Sequence, residues 1–398
     1  MSTTPKIAII GAGPAGLTLG AILQKNSVPF TIFDSDASPN ERNQGGTLDL
    51  HPQGGQAALK EAGLWEEFTK FARPESDVLK VVKNDGEVLW DGNTIDKREV
   101  PEDEKFANRP EIDRSALKEI LLTAVKPEAI QWDKHLAEAV AGEGGKYDLH
   151  FADGTVEKDF DLIVGADGAW SKIRKLLTDK LPEYSGISLI ECWSYDVAKK
   201  NPWMSEYVGA GSCYSFGEGR TIQIQRLGDG SIRAYACLRK PESFLKECGI
   251  DWTDAESAKK QYVKEYFDDC GADLKRVILE SNDHFVTRVL YQLPVGFTWE
   301  SRPGVTLIGD AAHLMTPFGG VGVNAAMMDS LLLAQELIKF VQSGEGKLAD
   351  VVKQYETDMF PRGEMFARKT MDGMKKHFSA GGSEHLAGRL LAHFPRKS

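Results

Sequence analysis

Three stretches of the chain share one pattern, in which a continuous apolar run is followed by a glycine turn and then by residues with helical spacing. They cover residues 6–20, 160–174 and 304–340. A continuous apolar run bounded by glycine predicts a buried strand of a parallel sheet, and apolar residues three and four apart predict a helix. These stretches therefore predict an α/β fold with a Rossmann-like parallel sheet and helices.

The middle of the chain, from residue 185 onward, alternates apolar and polar residues in short runs that are rich in aromatics. The run 221–225 places its isoleucines on one face and Gln223 on the other, and the next run places Arg233 and Tyr235 on the polar face as well. Strict alternation predicts an antiparallel sheet with one apolar face. The polar face would either meet solvent or cover a pocket, and the pattern leaves both open.

The last part of the chain, residues 348–377, has helical spacing with mixed faces. We therefore predict three regions. Residues 1–184 and 293–345 form a parallel-sheet domain, residues 185–292 form an inserted antiparallel β-sheet domain, and residues 346–398 form a C-terminal helical region that bridges the two.

Composition narrows the class of partner. A chain of 398 residues exceeds the usual size of a single core. The net charge of -11 and the lack of a long basic run argue against nucleic acid or an anionic membrane, which leaves a small molecule. Four glycines and a proline interrupt the apolar segment 7–23, which argues against a signal peptide or membrane span. Five cysteines without a C-x-x-C pair fit reduced thiols in a cytoplasmic protein, which we expect to be a monomer.

The first glycine turn has the residues of a dinucleotide site. Gly11 permits the turn, Gly13 lets the backbone approach a pyrophosphate, and Gly16 allows the helix to pack closely on the strand. Pro14 and Ala15 lie between these glycines at the start of the helix, where unpaired N–H groups face the phosphates.

Three positions downstream support the same ligand. Asp34 ends the second apolar run, at the distance from the glycines where a carboxylate reaches the ribose hydroxyls of adenosine. The adjacent glycines 45 and 46 indicate either backbone close to a ligand or a simple loop. Arg114 lies in the first turn of a predicted helix, where it opposes the helix dipole unless an anion such as phosphate is near.

The three glycine turns, each with an acidic residue nearby, lie on both sides of the β-rich insertion, so one dinucleotide with a long linker could contact all of them. With this arrangement the sequence resembles the group A flavoprotein monooxygenases, the para-hydroxybenzoate hydroxylase-like family, over most of its length. The resemblance implies that the first turn and Asp34 hold the ADP half of FAD. It also implies that Asp167, Gly168 and Arg174 form the family's "DG" motif, which is credited with contacts near the pyrophosphate and with a part in the use of NAD(P)H.

By the same resemblance, Gly309 and Asp310 form the "GD" motif, whose aspartate binds the ribityl chain of FAD. The glycine loop that follows would meet the isoalloxazine, and the N–H groups at 320–324 are suited to stabilise negative charge on the reduced flavin. The residues assigned to this loop are Pro317, Gly320, Gly322, Val323 and Asn324.

Within this family the sequence looks most like the tetracycline-inactivating monooxygenases, which implies that Asp49 and Arg114 also contact FAD. Ser35, Thr316 and Val321 depart from the pattern of those enzymes. The substrate positions also differ in chemical type in several cases, so antibiotic inactivation is at most a side activity in this interpretation. The residues at the drug-contacting positions are Glu191, Ser212, Gln223, Arg233, Tyr235 and His377, and Phe318 either lines the substrate side of the flavin or packs in the core.

The resemblance implies a cycle in which NADPH or NADH reduces FAD, O2 adds at flavin C4a, and the hydroperoxide hydroxylates an aromatic or polyketide-like molecule. Because the chain has one G-x-G-x-x-G, the reductant must visit the FAD site transiently. Catalysis needs no protein nucleophile or metal. We expect His313 to be a hydrogen-bonded structural histidine, and Arg233 to be either an exposed strand residue or a partner of a phenolate or carboxylate.

Three rival interpretations remain at this point. An NAD-dependent dehydrogenase would not require the motifs at Asp167 and Asp310. A flavin-dependent dehydrogenase or oxidase would use the same motifs without inserting oxygen. A flavin-binding sensor without turnover would also keep them.

Overall fold

The three apolar runs found in the sequence form neighbouring strands of a five-stranded parallel sheet in the computed structural model, which describes residues 4–39, 41, 45–95, 101 and 105–393. The ends of the predicted first and C-terminal regions, residues 1–3 and 394–398, lie outside the described residues. The chain divides into two units. The first comprises residues 1–72, 114–183 and 291–370, and the second comprises residues 73–113, 184–290 and 371–398.

The strands are β1 (Ile7–Ile10), β2 (Thr31–Phe33), β3 (Thr47–Asp49), β4 (Leu79–Val82), β5 (Val88–Asp91), β6 (Glu111–Asp113), β7 (Ile130–Gln131), β8 (Leu136–Ala141), β9 (Tyr147–Phe151), β10 (Val156–Phe160), β11 (Leu162–Gly165), β12 (Glu183–Ser194), β13 (Ser212–Gly217), β14 (Arg220–Arg226), β15 (Ile232–Arg239), β16 (His284–Gln292) and β17 (Val305–Leu307). The helices are α1 (Pro14–Lys25), α2 (Ala57–Ala62), α3 (Trp65–Phe71), α4 (Arg114–Thr123), α5 (Val197–Lys200), α6 (Pro202–Val208), α7 (Phe244–Glu247), α8 (Ala255–Tyr266), α9 (Ala272–Glu280), α10 (Asp310–His313), α11 (Gly322–Ser343), α12 (Leu348–His377) and α13 (Gly382–His393).

The parallel sheet of the first unit has the order β17-β11-β1-β2-β7. Three neighbouring strands, β17, β11 and β1, are buried along their whole length, which explains why their sequences are apolar without alternation. Each of β1, β11 and β17 is followed directly by one of the three glycine turns. Because the carboxyl ends of parallel strands meet at one edge of a sheet, these turns come together there, and the predicted α/β fold is confirmed.

The second unit contains a seven-stranded sheet with the order β16-β12-β15-β14-β13-β4-β5. Its apolar face packs against α8 and α9 through residues such as Ile222 and Ala234, as the alternation predicts. The sheet also includes β4 and β5, which the predicted boundaries place in the first domain. The reason is that β4 pairs in parallel with β13, a long-range contact that no local pattern reveals.

The C-terminal region is helical, as predicted. Residues 348–370 of α12 belong to the first unit, and the rest of that helix and α13 belong to the second. Ala387 of α13 packs against Val81 and Trp90 of the hairpin β4–β5. None of the helices in the described part of the chain combines the length and the apolar character that crossing a bilayer would require.

The cysteines of the second unit are packing residues. Cys192, Cys213 and Cys237 are buried, and burial raises the pKa of each thiol to about 12. A thiol with such a pKa stays protonated near neutral pH and is a weak nucleophile.

Candidate functional site

Two glycines of the first turn are required by the packing of the protein itself. Gly11 has a φ of 112°, which favours glycine, and a Cβ there would lie 2.4 Å from the carbonyl oxygen of Ala166. A Cβ on Gly16 would lie 1.9 Å from the carbonyl oxygen of Gly11, so the start of α1 lies directly against the turn. The expected roles of Gly11 and Gly16, a tight turn and close packing of helix on strand, both agree with this geometry.

Gly13 differs from these two because, apart from its chain neighbours, no atom of the described residues lies within 4 Å of the position of its Cβ. Its φ of -78° is ordinary for any residue, so neither strain nor crowding requires glycine there. Gly13 immediately precedes Pro14 and Ala15, at the positive end of the helix dipole of α1. Open space at a helix N-terminus suits a phosphate group.

Asp34 fixes the end of β2 against the first turn. Its side chain is buried, and its Oδ2 accepts a hydrogen bond from the N–H of Ala12 at 2.5 Å. Its Oδ1 accepts one from the N–H of Asp36 at 2.8 Å. A carboxylate can accept about four hydrogen bonds, so both oxygens retain capacity for ribose hydroxyls.

The second turn has an acid with an unsatisfied oxygen. Oδ2 of Asp167 accepts from the N–H of Lys172 at 2.7 Å, whereas Oδ1 is buried and has no partner within the described part of the chain. Burial raises the pKa of Asp167. Gly168 has open space at the position of a Cβ, as Gly13 has. An orphaned oxygen beside open space fits a ligand that donates hydrogen bonds.

Arg174 supports this turn from within the protein. Its side chain is buried, and its Nη1 and Nη2 donate to the carbonyl oxygen of Ala169 at 2.9 and 2.5 Å. Its Nε donates to the carbonyl oxygen of Ala311 in α10 at 3.0 Å. The guanidinium therefore links the second turn to the third, and burial lowers its pKa although Asp167 and Asp310 oppose that effect.

The third turn presents a carboxylate outward. Gly309 has a φ of 60°, and a Cβ there would lie 3.2 Å from Cβ of Ala15 and 3.1 Å from Cβ of Ala326. The side chains of α1 and α11 therefore crowd this position, and its positive φ favours glycine as well. Asp310, the first residue of α10, is exposed, so its side chain is accessible to a ligand.

The glycine loop ends at the start of a helix, as predicted. Pro317 begins a short 3-10 turn, Gly320 follows it with a φ of 61°, and α11 begins at Gly322. The N–H groups of Gly322, Val323 and Asn324 are the first of the helix and have no intrahelical acceptor. The position of a Cβ on Gly322 is also open, so this helix start can approach a ligand. Phe318 of the 3-10 turn is buried.

The side chain of Asn324 holds a neighbouring segment in place. Its Oδ1 accepts from the N–H groups of His51 at 2.7 Å and of Gly55 at 3.1 Å, and its Nδ2 donates to the carbonyl oxygen of Asp49 at 2.8 Å. The carboxylate of Asp49 contacts Nε2 of His51 at 3.0 Å. Arg114, the first residue of α4, is exposed. The cofactor contacts predicted for these residues stay predictions, and the amide of Asn324 has a structural role in addition.

His313 has a partner that the sequence did not reveal. Its Nε2 lies 2.5 Å from Oδ2 of Asp329, and Nη2 of Arg362 donates to Oδ1 of Asp329 at 2.9 Å. Burial opposes the charge on His313, but Asp329 outweighs burial and raises the pKa of the imidazole. Burial acts against the charge of Asp329 too, yet His313 and Arg362 lower the pKa of that carboxyl. The expected structural, hydrogen-bonded histidine agrees with this arrangement.

In the second unit, the polar face of the seven-stranded sheet collects the residues predicted to bind substrate. Glu191, Tyr235, Gln223 and Tyr214 are adjacent across β12, β15, β14 and β13. Tyr214 is an addition that sequence reasoning missed, although its alternation with Cys213 could have indicated the face on which it lies.

Arg233 is the most unusual residue of this face. Its side chain is buried rather than exposed, and its guanidinium carbon lies 3.1 Å from the ring centroid of Trp193. Nη1 donates to Oε1 of Glu191 at 3.2 Å, but Nε and Nη2 have no hydrogen-bond partner among the described residues. Burial lowers the pKa of Arg233, with Tyr235 and Glu191 opposing. Arg288 donates from Nε to Oε2 of Glu191 at 2.5 Å, so one carboxylate serves two guanidinium groups.

His377, at the end of α12, lies on an aromatic stack. Its ring is 4.0 Å from that of Phe216 at an angle of 13°, and Phe216 in turn stacks on Tyr214. Burial lowers the pKa of His377 to about 4. The imidazole is therefore neutral near pH 7 and extends an aromatic surface on this unit.

The parallel sheet, the open space at glycines of successive turns and the exposed acid of the third turn define a dinucleotide-binding protein whose residues fit FAD. The chain belongs to the FAD-binding-domain family, because the model of that family, described as "FAD binding domain", matches residues 4–370. It is a flavin-dependent monooxygenase, like the enzymes that it resembles.

Two fungal relatives are similar over most of their length. Monooxygenase asqM of Emericella nidulans is 32% identical over 83% of this chain and 83% of its own length. Monooxygenase penA of Penicillium thymicola is 29% identical over 97% of this chain and 98% of its own length.

Two solved structures share the fold at low sequence identity. Klebsiella pneumoniae HpxO, complexed with FAD and uric acid, has a TM-score of 0.75 and 17% identity, with 100% of this chain and 94% of that chain covered. The tetracycline destructase Tet(55) has a TM-score of 0.73 and 17% identity, with 98% and 96% covered. These likenesses support the predicted fold class.

Substitutions at the glycines of the first turn should distinguish residues needed for the stability of the protein from residues needed for FAD binding. We expect Gly13→Ala to lower the stability of the apoprotein by no more than about 1 kcal/mol, since the methyl group enters open space and the main loss is the preference for glycine over alanine at the N-cap of α1. The same change should weaken FAD binding at least about tenfold, or roughly 1.4 kcal/mol, because the methyl group meets the pyrophosphate. Fluorescence titration of the apoprotein with FAD measures the affinity, and urea unfolding measures the stability.

Gly16→Ala is the matched control, because its methyl group would overlap the carbonyl of Gly11. We expect it to lower the free energy of unfolding of the apoprotein by more than about 3 kcal/mol. A Gly13→Ala protein that binds FAD as tightly as the wild type would contradict the assignment.

The half-buried, neutral His377 should make stability depend on pH. Its pKa is about 4 in the folded protein, below the ordinary 6.5, so the unfolded chain takes up the proton first as the pH falls. The stabilising contribution is therefore present above pH 6.5 and lost towards pH 4, and it amounts to about 2 kcal/mol between pH 7 and pH 5. Urea unfolding at both values should show a smaller loss for His377→Phe than for the wild type. Equal losses would contradict this account.

Proposed function

We propose that this flavin-dependent monooxygenase takes electrons from NADPH or NADH and inserts one atom of O2 into an aromatic or polyketide-like small molecule. FAD, when bound, would supply the electron storage and the oxygen chemistry at flavin C4a that the resemblance implies. The protein's task is to hold the cofactor, orient the substrate and exclude water. We also retain the cytoplasmic location and the monomeric state as predictions.

The first unit offers the cofactor three kinds of contact. The open space at Gly13 and Gly168 supports a pyrophosphate there, and the exposure of Asp310 supports its acceptance of hydrogen bonds from hydroxyls of the ribityl chain. The start of α11 at Gly322 offers N–H groups to negative charge on the reduced ring.

The substrate proposal depends on one observation: Nε and Nη2 of the buried Arg233 have no hydrogen-bond partner among the described residues. A buried guanidinium with unsatisfied N–H groups is costly, so a ligand oxygen that accepts from Nε and Nη2 would be favourable. On the same sheet face, the partly exposed aromatic rings of Tyr214 and His377 both pack on the buried ring of Phe216. We therefore expect a planar substrate with a phenolate, enolate or carboxylate oxygen. Uric acid and tetracyclines, which the names of two structural neighbours mention, belong in the screen.

Isotope labelling tests the reaction. The FAD-loaded protein is incubated with NADPH or NADH and a panel of acidic phenols and polyketides under ¹⁸O2, and products are analysed by mass spectrometry. We expect substrate-stimulated consumption of the reductant and a product that carries one ¹⁸O atom. Consumption of the reductant without ¹⁸O in the product would show that the compound stimulates flavin reduction without being oxygenated, and lack of any turnover across the panel would contradict the proposed substrate class.

Replacement of Arg233 tests the substrate contact. We expect Arg233→Gln to weaken binding of an acidic substrate at least about tenfold, as for loss of a charge-assisted hydrogen bond of roughly 1.4 kcal/mol or more. Perturbation of the flavin absorbance by substrate measures binding without turnover. Arg239→Gln, at the exposed end of the same strand, is the control and should bind as the wild type does. Equal affinities of all three proteins would overturn the role of Arg233.

A further inference from the structure

The third turn is tied to α11 by one buried carboxylate. Asp329 of α11 has no exposed side-chain surface, and its Oδ2 accepts from the N–H of Gly309 at 3.0 Å. The N–H of Gly309 lies immediately before Asp310, the residue with the accessible carboxylate. The position of Asp310 therefore depends on a group that lies 20 residues further along the chain.

The same carboxylate also holds α10 and α12. Oδ2 of Asp329 lies 2.5 Å from Nε2 of His313, the last residue of α10, and Oδ1 accepts from Nη2 of Arg362 in α12 at 2.9 Å. α10 is thus fixed at its first turn and at its last residue by a single side chain. From the other side, Arg174 holds the carbonyl of Ala311.

A neighbouring residue ties α11 to the first turn. Oγ of Ser330 donates to the carbonyl oxygen of Ala15 at 2.8 Å. Ala326, one helical turn earlier, lies against Gly309. α11 therefore sets the first and third turns relative to each other by side chains that lie on the side away from solvent.

We propose that Asp329 is a positioning residue for FAD: without touching the cofactor, it fixes Gly309 and His313 so that Asp310 and the turn meet the ribityl chain. This inference builds on the proposed contact between Asp310 and FAD. Three donors converge on Asp329, so an amide in its place would direct an NH2 group at one of them. The NH2 group would then face another donor, either Nη2 of Arg362 or the N–H of Gly309. The loss of that hydrogen bond would shift the turn.

Asp329→Asn tests the inference with the full-length apoprotein and FAD. We expect the dissociation constant of FAD, from flavin fluorescence, to rise at least about tenfold. At saturating FAD, the visible circular dichroism of the bound flavin should change, because the turn holds it differently. If Asp329 only stabilised the fold, Asp329→Asn would lower the free energy of unfolding but leave the circular dichroism spectrum of the bound flavin as in the wild type.

Further variants sharpen the result. Combining His313→Gln with Asp329→Asn should weaken FAD binding no more than Asp329→Asn does alone, since the two residues act as one unit. Glu336→Gln, a carboxylate-to-amide change on the same helix, is the control and should leave affinity and spectrum unchanged. If Asp329→Asn does not fold, Arg362→Met keeps the contacts to Gly309 and His313 and should shift affinity and spectrum in the same direction by a smaller amount.

The outcomes distinguish this inference from the proposed function. Wild-type affinity together with a wild-type flavin spectrum in Asp329→Asn, or in Arg362→Met where that variant is the one that folds, overturns the positioning role alone. A wild-type protein that takes up no FAD overturns the proposed function and the positioning role together.

Discussion

A buried carboxylate must be met by donors on every side, and that requirement organises the cofactor side of the first unit. Removing a carboxylate from water costs several kcal/mol unless hydrogen bonds and opposite charge replace the solvent. Asp329 meets the requirement with Gly309, His313 and Arg362, which belong to three different elements. Because all three must be in place at once, the turn, α10 and α12 cannot move independently of α11.

The parallel sheet alone would not achieve this precision. Its strands place the three turns at one edge, but a turn can still tilt on the end of its strand. Hydrogen bonds from side chains remove that freedom: Asp34 holds the first turn, Arg174 joins the second turn to α10, and Asn324 holds the segment 49–55. Polar side chains therefore hold the protein's own backbone, whereas the open space at the glycines and the N–H groups at the helix N-termini are available to the ligand.

Local patterns were sufficient to predict the turns and the strands. The sequence pattern of a buried strand, a glycine turn and a helix lies within a short run of neighbouring residues. The α/β fold and the roles of Gly11 and Gly16 could therefore be inferred from it. The partner of His313 lies on another helix, and Arg288 reaches Glu191 across 97 residues, which spacing cannot reveal. Alternation assigned Arg233 to the correct face, but a strand pattern does not state what covers that face, so its burial was not predictable.

The charges on the polar face of the second unit give the strongest physical argument about its ligand. Arg233 and Arg288 share the single carboxylate of Glu191, so these three side chains carry one more positive charge than negative. The surplus charge is less costly at Arg288, whose side chain is half exposed, than at Arg233, which is buried. The ring of Trp193 lies against the face of the Arg233 guanidinium and stabilises part of its positive charge. The N–H groups of the guanidinium point outward in its plane, where this ring cannot accept hydrogen bonds. Nε and Nη2 of Arg233 therefore favour a ligand whose oxygen atoms lie in the plane of the guanidinium and accept from them. A hydrocarbon ligand has no such acceptor, so the energetic cost of the unpaired N–H groups would remain.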